Sequence, residues 1–178
     1  DLKEHGYRAV FLALGAFRGR DLRIPGADLD GILNGIDFLI NVNLGYHVRV
    51  GKRVVVIGGG NVAIDVARAA LRGSGEEVPA PLEDGSTLID VARAAVRLSS
   101  SEVHVYALES RVEMPAYHFE VVEAERVGIA ILPAWGPKRF LGEGSVAGIE
   151  LLRVASVFDP DGRFNPRFIP GSEEIAEA

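Results

Sequence analysis

Residues Gly58, Gly59, Gly60, Asn61, Val62 and Ala63 fit the pattern G-x-G-x-x-A. Each position in that pattern has a physical task. Gly58 lets the chain turn sharply from a strand into a helix. Gly60 has no side chain, so its backbone can approach a pyrophosphate. Ala63 is small enough for close helix–strand packing. The N–H groups of Asn61 and Val62 would lie at the positive end of the following helix and face an anion. A glycine pattern carries weight only between a strand and a helix, and both flanks qualify. RVVVI at 53–57 is a β-branched run, and NVAIDVARAALR at 61–72 reads as a helix. Val62, Val66, Ala69 and Ala70 are expected on its apolar face, with Arg68 and Arg72 off it.

Such a phosphate cradle normally works with an acid about 20 residues further on, at the end of the second strand, where it accepts hydrogen bonds from ribose hydroxyls. The candidate is Glu109, which follows the strand-like VHVYAL at 103–108 but lies 49 residues past Gly60. An internal repeat accounts for the excess. IDVARAALR at 64–72 returns as IDVARAAVR at 89–97, identical at eight of nine positions and offset by 25. Removing that offset leaves 24 residues, close to the expected spacing. The intervening GSGEEVPAPLEDGS at 73–86 must be loop, and Ser86 or Thr87 can cap the second helix. The segment 73–98 is therefore expected to be an inserted helical arm. A carboxylate at 109 pairs with a free 2′-hydroxyl and repels a 2′-phosphate, which selects NAD. Arg111, two residues on, keeps NADP as the alternative. Ser110 and Arg111 are placed at the adenosine end.

The remaining elements must hold this site. YRAVFLAL at 7–14 reads as a buried strand ending in a turn at Gly15. Residues 18–31 are loop. Residues 34–44 have Ile36, Leu39, Ile40 and Asn43 at helical spacing, with Gly45 to end the helix. A helix over 117–127, carrying Phe119, Val122, Glu123 and Val127, closes at Gly128. IAILPAW at 129–135 is a further strand. KRFLGEGSVAGIELLRVASVFD at 138–159 and the turn DPDGRF at 159–164 suggest an antiparallel meander. Tyr117 and His118 are read as a surface helix start, and His104 as structural. These elements define an α/β fold: a Rossmann-like three-layer nucleotide-binding domain with a parallel sheet and an antiparallel β-meander.

Composition narrows the class further. Hydrophobic residues at 48% and charged residues at 25% fit a folded domain and not a disordered one. A net charge of −6 argues against a nucleic-acid surface. No apolar run is long enough to insert in a membrane. The absence of cysteine rules out disulfides and thiolate-bound metal or iron–sulfur clusters within this segment. The four histidines have no ligand spacing, so no metal is expected. The chain opens on Asp1, not Met, and stops after Glu173 and Glu174. Both ends are expected to be cut points, and a cytoplasmic protein is expected.

RVVVIGGGNVAIDVARAALR, then VHVYALESRVEMPA, then FEVVEAERVGI, resembles the small (beta) subunit of glutamate synthase and related FAD/NAD(P)H oxidoreductases. YRAVFLALGA with RIPGADLDGILNGIDFLINVNLG, and GIELLRVASVFDPDGRFNP, extend the resemblance to nearly the whole chain. It implies that residues 1–50 are the edge of an FAD domain and a linker, that 51–170 form the NAD(P)-binding domain, and that 171–178 are a truncated tail. It also implies FAD in the full-length protein, hydride transfer between nicotinamide and flavin N5 with Gly15 and Ala16 lining the cleft beside the nicotinamide, and a partner that is another redox subunit or an iron–sulfur domain. No acid, base or nucleophile of this chain is then catalytic, since the cofactors carry the chemistry. The glutamate synthase subunit usually has two adjacent arginines where this chain has Leu108 and Glu109, which again turns the expectation from NADP toward NAD. Two other readings compete. One is a dinucleotide-sensing or docking module without redox turnover. The other puts FAD itself at Gly58–Gly60, against which the strand at 7–14 argues.

Overall fold

β1 (Arg53–Ile57), β2 (Glu102–Ala107) and β3 (Ala130–Pro133) form a parallel sheet in the order β1-β2-β3. The register pairs Val54 with Val103 and Ile57 with Tyr106, then Val105 with Ile131. The computed structural model describes residues 4–6, 8, 9, 19, 21–46, 48, 50–73 and 102–178. The expected strand at 7–14 (Arg8 and Ala9 excepted), Gly15 and Ala16, and the arm at 73–98 beyond Gly73 lie outside the described residues.

Period-two alternation gives the sheet two apolar faces. Val56, Val103 and Val105 point to one face, where they pack with Ile64 and Ala67 of α2 (Asn61–Gly73) and with Val121 and Ala124 of α3 (His118–Arg126). Val55, Ile57, Tyr106 and Leu132 point to the other, against Trp135, Ile149, Leu151 and Ala176. Those residues belong to the antiparallel meander of β4 (Trp135–Glu143), β5 (Ser145–Phe158), β6 (Phe164–Phe168) and β7 (Glu174–Glu177). β5 pairs with β4, β6 and β7. The layers are therefore helices, parallel sheet and meander, as expected from the sequence.

Several expected faces differ from those observed. On α2, Ile64 and Ala67 are fully buried while Val62 is half exposed, because the helix docks through Ala63, Ile64 and Ala67 and leaves Val62 at its open end. On α1 (Gly35–Asn43), Phe38 is the buried residue and Ile40 is exposed. Phe38 packs on Ala69 and Ala70 of α2, and α1 approaches so closely that a Cβ on Gly35 would lie 3.0 Å from Val66 Cγ2. Asn34 caps α1 by accepting the Ile36 N–H at 3.0 Å, and Gly45 ends it with φ +80°. On α3, Phe119 and Val127 are exposed and Val121 and Ala124 are buried. Glu174–Glu177 form β7, paired with β5. Ala176 is buried beside Ile149, and Ile175 faces out.

The meander carries the buried charge found among the described residues, Glu150 at 8% exposure. It accepts hydrogen bonds from Arg139 Nε and, at 3.2 Å, from Lys138 Nζ, which also reaches Glu173 at 3.0 Å. The Arg139 hydrogen bond, aided by that of Lys138, holds the Glu150 carboxyl below the usual glutamate range, and Lys138 does the same for Glu173. A depressed folded-state pKa adds stability above the unfolded-state value and loses it as pH falls through the folded one. Melting temperature should therefore drop as pH is lowered from about 6 to about 3. Glu150→Gln should flatten that slope. An unchanged slope in the variant would show that other carboxylates carry it.

Candidate functional site

The glycine turn lies where β1 meets α2. Gly58 has φ +139°, a conformation that L side chains rarely adopt, and a Cβ there would sit 3.4 Å from Ala63 Cβ. Its N–H donates to the Tyr106 carbonyl at 2.9 Å, which extends the β1–β2 ladder by one bond. Gly59 is hemmed in: a Cβ would lie 2.6 Å from Glu109 Oε2 and 3.1 Å from Ala107 Cβ. Only a residue without a side chain lets the end of β2 close over the turn. Gly60 differs, since the nearest atom to a Cβ placed there is Pro115 Cγ at 4.0 Å. Its hydrogen side faces open space.

The Gly60 carbonyl accepts from Ala63 N–H at 3.0 Å and Ile64 N–H at 3.3 Å, so α2 begins here. Helix geometry gives the N–H groups of Asn61 and Val62 no intrahelical acceptor, and the helix dipole adds partial positive charge. Gly58, Gly59, Gly60, Asn61, Val62 and Glu109 are thus brought together. The cluster offers anion-seeking N–H groups on one side and a carboxylate on the other.

A second wall comes from residues 110–117. Ala116 N–H donates to the Gly59 carbonyl at 3.0 Å, and Tyr117 N–H donates to Asn61 Oδ1 at 2.9 Å. The Asn61 side chain therefore ties the glycine turn to the start of α3, a role its backbone alone did not suggest. The cue in the sequence is the EMPA of 113–116, which the family resemblance includes. On the far side, Arg68 of α2 pairs with Glu120 of α3 at 2.6 Å. Ser110 and Arg111 follow Glu109, and each has a carboxylate partner. The Ser110 hydroxyl and N–H both donate to Glu113 Oε2, and Arg111 Nη2 meets Glu125 Oε2 at 2.6 Å. Tyr117 and Phe119 stack at 5.8 Å and are exposed, so Tyr117 and His118 are a surface helix start as expected.

The Glu109 carbonyl accepts from Ala134 N–H at 2.9 Å. Ala134 has φ +59°, unusual for a residue with a side chain. It stands where the parallel β3 gives way to β4, and its left-handed turn sends the chain from one sheet to the other beside Glu109. His104 lies on the sheet with Nε2 3.0 Å from Glu102, away from the turn. Among the described residues there is no cluster that could hold a metal ion, and no helix is long and apolar enough to cross a membrane.

The layered α/β fold with its glycine turn is that of a class found among pyridine nucleotide oxidoreductases. Residues 1–145 match the pyridine nucleotide-disulphide oxidoreductase family, and the chain belongs to it. It is 38% identical over 178 residues to the NADPH-Fe(3+) oxidoreductase subunit beta of Geobacter sulfurreducens, covering 96% of this chain and 23% of that protein. It is 32% identical to the glutamate synthase [NADPH] small chain of Halomonas elongata, covering 97% of this chain and 34% of that one. The chain thus spans about a quarter to a third of the length of these relatives. The structure of Mycobacterium tuberculosis FprA in complex with NADPH shares the fold, with a TM-score of 0.64 at 20% identity over 93% of this chain and 47% of that one.

Proposed function

We propose that this chain is the NAD(H)-binding domain of an FAD-dependent oxidoreductase, in which it presents the nicotinamide for hydride exchange with the flavin. The observation that carries the reading is the carboxylate of Glu109 lying over Gly59 while the Gly60 side of the turn stays open. The pyrophosphate would rest on the N–H groups of Gly59, Gly60, Asn61 and Val62. Glu109 would accept the hydroxyls of the adenosine ribose, with Ser110 and Arg111 bordering the adenosine end and Gly15 beside the nicotinamide. Residues 51–170 would form this domain, and residues 1–50 the edge of the FAD domain and its linker.

Bound flavin and nicotinamide supply the redox chemistry. This chain's residues bind and orient. Family membership supports the flavin partner. The names of the relatives, subunit beta and small chain, support delivery of electrons to another redox subunit. An iron–sulfur domain as the acceptor and a cytoplasmic location belong to the same proposal. Several relatives are named for NADPH, and the preference for NAD in this chain rests on Glu109 standing where the glutamate synthase subunit usually has arginine.

The test is calorimetric titration of the full-length polypeptide with NADH and with NADPH, alongside anaerobic bleaching of its flavin by each. NADH should bind at least about tenfold tighter, which is about 1.4 kcal/mol, and Glu109→Ala should remove that difference. Tighter NADPH would overturn the cofactor choice. Binding without flavin bleaching would overturn the redox reading.

A further inference from the structure

The two residues that follow Glu109 each engage a further carboxylate, Ser110 that of Glu113 and Arg111 that of Glu125. Arg111 is the only lysine or arginine between Glu102 and Tyr117. A guanidinium recognises phosphate by offering paired N–H groups in a fixed fork. Arg111 instead spends Nη2 on Glu125 Oε2 at 2.6 Å, with both side chains partly exposed at 35% and 41%. Ser110, the neighbouring hydroxyl donor, is turned onto Glu113. The Ser110 hydroxyl and N–H hold the Glu113 carboxyl below the usual range, so it is charged at neutral pH. The turn after β2 and helix α3 thus supply a carboxylate partner to Ser110 and to Arg111.

We infer that Glu125 is a specificity-determining residue that excludes a 2′-phosphate by holding Arg111, with Glu113 doing the same for Ser110. The inference rests on the dinucleotide reading above and deepens it. A 2′-phosphate arriving here must displace Glu125 from Arg111 while standing close to Glu109 and Glu113. NADH brings no such charge and is indifferent to the pair. The discrimination thus has two layers. Glu109 rewards the free 2′-hydroxyl, and Glu125 and Glu113 withhold the donors that a phosphate would need. Glu125 acts through Arg111 and touches no cofactor, so it is a positioning residue.

The experiment is calorimetric titration of the full-length polypeptide and its Glu125→Gln, Arg111→Ala and doubly substituted forms with NADH and NADPH. Glu125 is on the surface, and glutamine keeps its shape, so the fold is not at stake. Exposed ion pairs are weak, which sets the scale. Glu125→Gln should tighten NADPH about three- to fivefold and leave NADH within about twofold. The gain should shrink as ionic strength rises. Arg111→Ala alone should change NADPH binding by less than about twofold, since the residue is withheld, but should abolish the gain when added to Glu125→Gln. A gain that survives loss of Arg111 would overturn the sequestration, and so would an unchanged NADPH/NADH ratio in Glu125→Gln. Failure of the unsubstituted protein to bind either nucleotide would overturn the site itself and this inference with it. Retained NADH binding with an unchanged ratio would instead count against the role of Glu125 alone.

Discussion

Gly60→Val should weaken NADH binding about 100-fold while leaving the fold in place. The two effects separate because of where the missing side chain would point. A Cβ at Gly60 has Pro115 Cγ at 4.0 Å as its nearest neighbour, an ordinary contact. Its backbone does not need the left-handed region, so valine meets no strain there. Glycine is a better helix cap than valine, so the stability cost should be about 1 kcal/mol, or about 2–4 °C in melting temperature. The added methyl groups would stand in the open space where the backbone otherwise meets a pyrophosphate. Gly59→Ala is the informative contrast. Its Cβ collides with Glu109 Oε2 at 2.6 Å and presses on Ala107 at 3.1 Å, so it should disturb stability and ribose recognition together. Calorimetry with NADH and thermal circular dichroism on both variants would decide. If Gly60→Val bound NADH like the parent, the pyrophosphate would have to lie elsewhere.

The parts of this structure that the sequence announces are those where one short-range rule dominates. RVVVI, three glycines and an alanine-rich helix leave little choice for β1, the turn and α2. The alternation of Val103 and Val105 with His104 and Tyr106 likewise fixes which face of β2 meets the helices. Glu109 was legible through the repeat offset, and the structure places it over Gly59. Short helices were less legible. α1 carries Ile36, Phe38, Leu39, Ile40 and Val42 around most of its circumference. Its own pattern cannot choose a face, and contact with Ala69 and Ala70 chose Phe38. In α3 and β7 the larger residue faces out and the smaller one in: Phe119 over Ala124, and Ile175 over Ala176. Close packing against a neighbouring layer admits alanine where hydrophobicity alone would send phenylalanine or isoleucine. The pairing of Arg111 with Glu125 joins a turn to a helix 14 residues later, and no periodicity predicts such a contact.

Trp135→Ala should be the most destabilising single change in the meander, costing about 3–5 kcal/mol. Trp135 is 4% exposed and anchors a cluster with Ile149, Leu151 and Ala176 against Val55, Ile57, Tyr106 and Leu132 of the parallel sheet. It therefore holds two sheets together, where a hairpin residue would hold only its own. Its ring also lies under Arg153, whose guanidinium carbon is 4.2 Å from the ring centroid. An exposed cation–π contact is worth about 0.5–1 kcal/mol, so burial should outweigh charge several-fold. Arg153→Met tests that ratio, because it keeps an apolar stem on the ring and removes the cation. Thermal circular dichroism should show Trp135→Ala lowering the melting temperature by about 6–20 °C and Arg153→Met by no more than about 4 °C. The change should also reach the site. Trp135 follows Ala134, whose N–H holds the Glu109 carbonyl at 2.9 Å, so loosening β4 frees the strand end that positions the carboxylate. NADH affinity should fall in Trp135→Ala at temperatures where the protein is still folded, and remain unchanged in Arg153→Met. A tryptophan variant that melted within about 1 °C of the parent would show that backbone pairing of β4, β5 and β7 holds the meander, with the apolar layer secondary.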